Sequence, residues 1–410
     1  MRARTIEPRL GTRRRRDLPV LLLLCLAAAI VGAFGAEYYL HRQLASAPLR
    51  ASERLGLVHD TRTVREVVDE LRTVNPAAVP ALWPSYLLVG DGHNASRSVL
   101  MPRGVETVPA GGVSHAPTVM CREVGGYTSY ASDRHGFNNP DSAWQLPETD
   151  IALIGDSFTQ GQCVPPGDQA AALVRARFPA TLALAMGHAG PLMELLTLKE
   201  FGVFRRPRAV FWLFYPGNDL TQDLPRERAS PLLMRYLEGD FTQSLAARQA
   251  EIDSALRAYL GSASSRERHA AELEARTARE SVLKLRNLRR LLGATRAPPM
   301  PDLALLGRIL REAKVTAEGW GGKTTFVYLP SWTELLHPDQ AMRIRREAVL
   351  TAARESGFEI VDLHAAMAAA RDPGAYFHYP ASHYSPEGQR ILADAILAAL
   401  ANSGIEPPKP

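Results

Sequence analysis

The chain has 410 residues, of which 46% are hydrophobic and 22% are charged, and its formal net charge is +5. This length and apolar content fit one large globular domain with additions, or two smaller domains, and they exclude a disordered or fibrous protein. The positive charge comes largely from the N-terminal residues. It therefore gives no reason to expect a nucleic-acid partner, and the sequence does not predict the oligomeric state.

The first distinct element is an apolar segment near the N-terminus. Residues 13–16 are all arginine, and residues 18–36 are almost wholly apolar, about the length that a helix needs to cross a hydrocarbon layer. The positive-inside rule then places residues 1–17 in the cytoplasm and the C-terminal domain on the periplasmic or extracellular side. A signal anchor in the inner membrane is the preferred interpretation. A cleaved signal peptide and a twin-arginine export signal are the alternatives.

The sequence contains three cysteines, and Cys25 lies in the apolar segment. Cys121 and Cys163 belong to the exported part, where an oxidising compartment favours a disulfide between them. Two unrelated free thiols are the alternative. The cysteines and histidines do not show the spacing of a zinc site, so we expect neither a metal nor another cofactor.

Residues 37–125 are predicted to form a stalk and a loop-rich lead-in, with an amphipathic helix over residues 60–75. From Asp150 onward, apolar strand-like runs alternate with helical patterns, which is typical of a parallel sheet covered on both faces. These runs are residues 151–154, 181–185, 209–214, 324–329 and 358–361. One charged helical block, at about residues 226–296, interrupts the pattern. It is predicted to be an insertion, either a cap over the site or a solvated helical hairpin.

Four segments carry chemistry, and each follows a predicted strand or precedes the last helix. Gly155-Asp-Ser157 offers a serine at a strand-to-helix turn, the geometry that a serine nucleophile needs. The others are a glycine-containing loop, an asparagine-containing loop and a histidine before the C-terminal helix: Met186-Gly-His-Ala-Gly190, Tyr215-Pro-Gly-Asn-Asp219 and Ser382-His-Tyr-Ser-Pro-Glu-Gly388. In parallel sheets, ligands collect at the carboxyl ends of the strands, where these segments fall.

This ordered set resembles the SGNH hydrolases, also called GDSL esterases and lipases, over residues 126–404. The resemblance implies a three-layer α/β/α sandwich with a mostly parallel five-stranded, flavodoxin-like sheet. It also implies a serine nucleophile and a histidine base, Ser157 and His383. The expected oxyanion hole combines the backbone N–H groups of Ser157 and Gly190 with the side-chain amide of Asn218. Asp156 and Asp219 are expected to brace these loops by hydrogen bonds to the backbone.

The sequence departs from the family in one respect. The family places an aspartate two or three residues before the histidine, where this chain has Ala381 and Pro380. His383 would then be oriented by a backbone carbonyl, by water or by a distant carboxylate such as Asp372, or else activity is weakened or lost. We therefore expect a membrane-tethered serine esterase or O-acyltransferase that acts on small acyl esters or acylated glycans of carbohydrate or envelope polymer. The alternative is a glycan-binding envelope protein with weak or no catalysis.

Overall fold

A computed structural model describes residues 14–90, 95–262, 279, 281–292 and 300–408. The described strands are β1 Val79–Pro80, β2 Leu88–Gly90, β3 Ser96–Ser98, β4 Pro117–Cys121, β5 Thr128–Ala131, β6 Ile151–Gly155, β7 Thr181–Ala185, β8 Ala209–Phe214, β9 Lys323–Tyr328 and β10 Glu359–Asp362. The described α-helices are α1 Arg14–Ala45, α2 Ala47–Arg54, α3 Val64–Val74, α4 Ser157–Gln160, α5 Ala170–Arg175, α6 Pro191–Thr197, α7 Val203–Arg205, α8 Leu224–Arg228, α9 Pro231–Met234, α10 Gln249–Gly261, α11 Arg286–Leu291, α12 Leu303–Glu318, α13 Trp332–Leu336, α14 Gln340–Glu355, α15 Leu363–Ala368 and α16 Pro386–Asn402.

The central element is a five-stranded sheet in the order β10-β9-β8-β6-β7, with every neighbouring pair parallel. The five strands predicted from the sequence are these five, and helices lie between them in the chain. The predicted α/β sandwich is therefore confirmed. Because all strands run the same way, the loops that follow β6, β7 and β8 meet at one edge of the sheet.

Both faces of the sheet are buried, as the near-continuous apolar strands predict. Along β6, alternate side chains enter different cores: Ala152 and Ile154 join one, and Ile151 and Leu153 join the other. Helix α6 packs within the first core, whereas α5 and α16 pack within the second. The sheet is thus held rigidly between two helical layers.

From Pro48 onward, the lead-in is part of the same compact unit as the central sheet. It forms a small sheet in the order β1-β4-β5, on which α3 packs through Val67 and Val68, and a separate pair of strands, β2 and β3. Asn139, which follows β5 in the chain, binds the edge strand β7, because its side chain both donates to the Ala183 carbonyl at 3.0 Å and accepts from the Ala183 N–H at 2.8 Å. Edge strands need such partners for their unpaired backbone groups.

The predicted insertion is built into the fold over its first half. Residues of α9 and α10, among them Leu233, Ile252 and Leu256, are fully buried in the first core. Gln243 also pairs with both backbone groups of Val108 in the lead-in, at 3.0 and 3.1 Å. This half is therefore not a solvated hairpin. Residues 263–278, 280 and 293–299 of the region lie outside the described residues.

A second compact unit consists of Met1–Ala47 and Ser264–Ala297. Within it, the buried carboxylate of Glu37 accepts hydrogen bonds from the backbone N–H groups of Asn287 and Leu288 at the start of α11. Within α1, the 27 residues of Pro19–Ala45 are long and apolar enough to cross a membrane, and a signal sequence near an N-terminus shares these properties.

Candidate active site

Ser157 lies at the turn between β6 and α4. Strand β6 ends at Gly155, Asp156 caps the helix by accepting the Phe158 N–H at 2.9 Å, and Ser157 is the first helical residue. A short polar side chain at this cap satisfies a backbone donor that the helix itself cannot. The turn therefore holds the Ser157 hydroxyl at the carboxyl edge of the sheet.

His383 lies near the C-terminal end of the domain's sequence, and its side chain reaches Ser157. It directly precedes Tyr384, which forms an isolated bridge with Phe377, and it lies three residues before the start of α16. Its Nε2 atom is 2.9 Å from the Ser157 hydroxyl oxygen. The Phe158 ring, centred 5.0 Å from the imidazole, packs beside it. The serine and histidine expected from the sequence are thus brought within hydrogen-bond reach.

The other imidazole nitrogen is bound by Glu123, a residue that the sequence did not single out. Nδ1 of His383 is 2.7 Å from Oε1 of Glu123, and the His383 backbone N–H donates to Oε2 at 3.1 Å. Asp372, the distant carboxylate considered above, instead accepts the Gly374 N–H at 3.0 Å. The carboxylate that holds the imidazole therefore comes from the lead-in.

A disulfide ties this carboxylate to the serine turn. Cys121, the last residue of β4, is bonded to Cys163 in the turn that follows α4. Glu123 comes two residues after Cys121, so the bond fixes the chain on both sides of His383. An acidic residue so near a cysteine expected at the site is the sequence signal that could have identified Glu123.

The charge of Glu123 changes the proton affinity of His383. Burial by itself would lower the pKa of His383, but the charge and hydrogen bond of Glu123, with the charge of Asp156, outweigh burial and raise the pKa above 6.5. Burial likewise opposes ionisation of Glu123, yet the interaction with His383 holds the pKa of that carboxyl below its usual value. The pair thus favours a charged imidazole beside a charged carboxylate.

The Gly190 N–H, expected in the oxyanion hole, is engaged by a side chain. It donates to Oε1 of Glu227 at 2.6 Å, and Oε2 of that buried carboxylate accepts the Leu192 N–H at 3.0 Å. Glu227 thereby caps the N-terminus of α6 by accepting backbone N–H groups that have no partner within the helix. A Cβ on Gly190 would lie 2.7 Å from Cβ of Asp223 and 2.9 Å from the Glu227 carboxylate, so only glycine fits.

The Asn218 amide is engaged in the same way. Its nitrogen donates to Oδ2 of Asp223 at 2.7 Å and to Oδ2 of Asp156 at 3.2 Å. Asp219 accepts the Tyr215 N–H at 2.8 Å and holds that loop closed. Both bracing aspartates thus bond to the backbone of their own turns, but the amide of Asn218 and the N–H of Gly190 point at carboxylates.

Four acidic side chains near these loops are buried. Burial, reinforced by neighbouring negative charge, raises the pKa of Glu227 to about 8 and the pKa values of Glu194 and Asp219 well above their usual range. Burial also raises the pKa of Asp223 to about 6. These carboxyls therefore hold protons at a pH where exposed acids are ionised.

Glu123, Cys163 and His383 each place a potential ligand atom within 4.8 Å of the others. The Cys163 sulfur is committed to the disulfide, and the carboxylate and imidazole are bonded to each other. This cluster of donor atoms therefore does not fit a metal ion.

The GDSL-like Lipase/Acylhydrolase family matches residues 153–391. Among solved structures, a lipase/acylhydrolase from Enterococcus faecalis aligns at 16% identity and a TM-score of 0.35, over 64% of this chain and 100% of that chain. A member of the lipolytic G-D-S-L family from Veillonella parvula aligns at 13% identity and a TM-score of 0.34, over 62% of this chain and 98% of that chain. A two-domain esterase active on acetylated mannans aligns at 14% identity and a TM-score of 0.35, over 66% of this chain and 54% of that chain. None of the curated proteins matches this sequence.

Proposed function

This chain belongs to the GDSL-like lipase/acylhydrolase family, that is, to the SGNH hydrolases, and we propose that it is a serine ester hydrolase that uses Ser157, His383 and Glu123. The observation that carries the proposal is the chain of hydrogen bonds from the Ser157 hydroxyl through both imidazole nitrogens to the Glu123 carboxylate. A nucleophile bonded to a base that a third group orients is the arrangement that activates a serine.

In the proposed reaction, the Ser157 oxygen attacks the ester carbonyl while Nε2 of His383 takes its proton. The Glu123 carboxylate stabilises the imidazolium that forms, and His383 then returns the proton to the departing alcohol. Water completes the cycle by attacking the acyl-serine, with His383 again acting as base. In a transferase, a sugar hydroxyl replaces water at this step.

We assign oxyanion stabilisation to the Ser157 backbone N–H, with Gly190 and Asn218 at the same edge. The last two are bonded to carboxylates, so they reach an oxyanion only by exchanging those bonds. This occupancy is the specific observation that favours the second candidate, a glycan-binding protein with weak turnover. Removal of one oxyanion donor typically costs about 100- to 1000-fold in rate.

The proposed location is the outer face of the inner membrane, with Pro19–Ala45 as the anchor. The disulfide supports export, because such bonds persist in oxidising compartments. Acylated glycans are the proposed substrates.

Hydrolysis of p-nitrophenyl acetate by the full-length chain in detergent tests the proposal. Ser157→Ala is expected to abolish turnover. Ser356→Ala is the matched control, because Ser356 is also a buried serine, 5% exposed against 7% for Ser157. It lies before β10, and its hydroxyl donates to the backbone carbonyls of Gly307 and Ala352. Turnover that survives Ser157→Ala would refute the esterase assignment.

A further inference from the structure

Three rings outside the hydrogen-bonded chain form a cluster at the edge of the candidate site. The Trp83 and Tyr86 rings are nearly parallel, with an interplanar angle of 12° and centroids 6.4 Å apart. The His188 ring lies 4.9 Å from Tyr86 and 6.3 Å from Trp83. All three are half-buried, so each keeps part of its surface at the solvent.

The cluster borders the Ser157 turn. His188 lies in the loop after β7, and β7 is paired with β6 so that Ala185 aligns with Gly155. Gln160, the last residue of α4, accepts the N–H of Gly187 at 2.9 Å. The loop that carries His188 is therefore bonded directly to the helix that begins with Ser157.

Charge gives a second link between the cluster and the site. Burial is the main cause that lowers the pKa of His188 to about 4, and the charges of Arg226 and His383 lower it further. His188 is therefore within electrostatic reach of the proposed base. At neutral pH its ring is uncharged, so one nitrogen donates and the other accepts a hydrogen bond.

The conformation of His188 is unusual for its residue type. Its φ is +59°, a region that costs a non-glycine residue free energy and that tends to occur at functional sites. The Tyr86 hydroxyl, 3.0 Å from Nε2 of His188, holds the ring in place. The edge of Trp83 lies against Gly187, where an added Cβ would be 2.6 Å from Nε1 of Trp83.

We propose that Trp83, Tyr86 and His188 form a subsite for a sugar ring of the ester substrate. A pyranose has a C–H face that packs on flat aromatic rings and a rim of hydroxyls that needs neutral donors and acceptors. The cluster offers both: the half-buried rings of Trp83 and Tyr86, and the uncharged imidazole of His188 bonded to the phenol of Tyr86.

This proposal rests on the proposed esterase function and names its substrate class as acylated glycans. The sugar would lie on the side of the loop after β7, which leaves its acyl ester at Ser157. Trp83 and Tyr86 are then specificity-determining residues, because they hold the alcohol portion of the ester and take no part in proton transfer.

The first test compares two substrates, p-nitrophenyl acetate and acetylated xylo- and manno-oligosaccharides. Trp83→Ala is expected to raise KM for the oligosaccharides by about tenfold more than KM for p-nitrophenyl acetate, the size of a lost aromatic contact. Trp320→Ala is the matched control. Trp320 is also half-buried, but it precedes β9 and so lies at the amino ends of the strands, away from the candidate site. Equal effects on both substrates, or no effect, would overturn the subsite.

The second test is independent of turnover. Titration calorimetry with the Ser157→Ala chain should show saturable binding of the same oligosaccharides, weakened about tenfold by Trp83→Ala and less by Tyr86→Phe, which keeps the aromatic ring. No saturable binding of either oligosaccharide would overturn the subsite whatever the chain hydrolyses. Failure of the esterase function would appear separately, as p-nitrophenyl acetate turnover that survives Ser157→Ala.

Discussion

Glu123 and His383 lie 260 positions apart in the chain, yet their side chains are 2.7 Å apart. In the proposed esterase, the glutamate takes the place of the aspartate that the family resemblance led us to expect just before the histidine, where this chain has proline and alanine. Because the disulfide at Cys121 anchors the glutamate's segment, the orientation of the imidazole depends on the lead-in as well as on the central sheet.

Glu123→Gln should lower kcat and shift the pH profile. The carboxylate raises the pKa of His383, so its loss lowers that pKa, and the acid limb of kcat should move to lower pH. The plateau should fall by about 100- to 10,000-fold, since the imidazolium loses its partner. Kinetics from pH 5 to 9 with p-nitrophenyl acetate check both effects.

The matched control is Glu106→Gln, a half-buried glutamate of the same lead-in that accepts the Ser98 N–H. It should leave the profile unchanged, and Glu123→Asp should restore part of the rate. A full plateau with an unmoved acid limb in Glu123→Gln would show that the glutamate does not orient the base.

Removal of the disulfide should weaken both stability and catalysis. The bond joins residues 42 positions apart, a separation for which loop-closure entropy predicts about 4 kcal/mol of stabilisation. Cys121→Ser with Cys163→Ser should lower the free energy of unfolding by that order and give pH-rate profiles that approach those of Glu123→Gln. Cys25→Ser, which removes the free cysteine, is the control and should change neither quantity.

Gly190→Ala tests the packing around the Glu227 carboxylate. The added methyl would overlap Asp223 and Glu227, and overpacking of this kind costs about 1–3 kcal/mol. Chemical denaturation should show that loss, together with reduced turnover. Gly167→Ala is the control, because a Cβ there meets nothing within 4 Å. Equal stability of the two variants would contradict the described contact.

Glu227 should make stability depend on pH. Its folded pKa of about 8 lies above the 4.5 of an ordinary glutamate, so protonation favours the folded state. That contribution is complete below pH 4.5 and is lost as pH rises to 8. Asp223, with a pKa raised to about 6, adds to the same trend below pH 6.

Urea unfolding at pH 5, 6.5 and 8 measures this contribution. The free energy of unfolding of the wild-type chain should fall more steeply with pH than that of Glu227→Gln, which cannot ionise. Glu106→Gln again serves as the control and should follow the wild type. Parallel slopes for the wild type and Glu227→Gln would contradict a raised pKa.

Periodicity predicted the sheet well because each of its strands is buried on both faces and reads as a continuous apolar run, as in Ala209–Phe214. The position of Ser157 at the carboxyl edge followed from the parallel strands, whereas the pairing of Ser157 with His383 followed from the family resemblance. Strand periodicity could not identify Glu123, because this carboxylate follows β4 of the small sheet; its nearness in sequence to Cys121 was the only local signal. Glu227 could not be predicted from the sequence either. Its helix contains several charged residues, which is typical of an exposed helix, yet this side chain is buried against α6.

The central claim is that His383, held by Glu123, activates Ser157 as a nucleophile. The most direct measurement is to treat the full-length chain with a fluorophosphonate, which bonds to activated serines, and to locate the adduct by peptide mass spectrometry. We expect one adduct, on Ser157, that is abolished by His383→Ala and slowed in Glu123→Gln. An adduct on another serine, or one that forms on Ser157 at an unchanged rate in His383→Ala, would contradict the account.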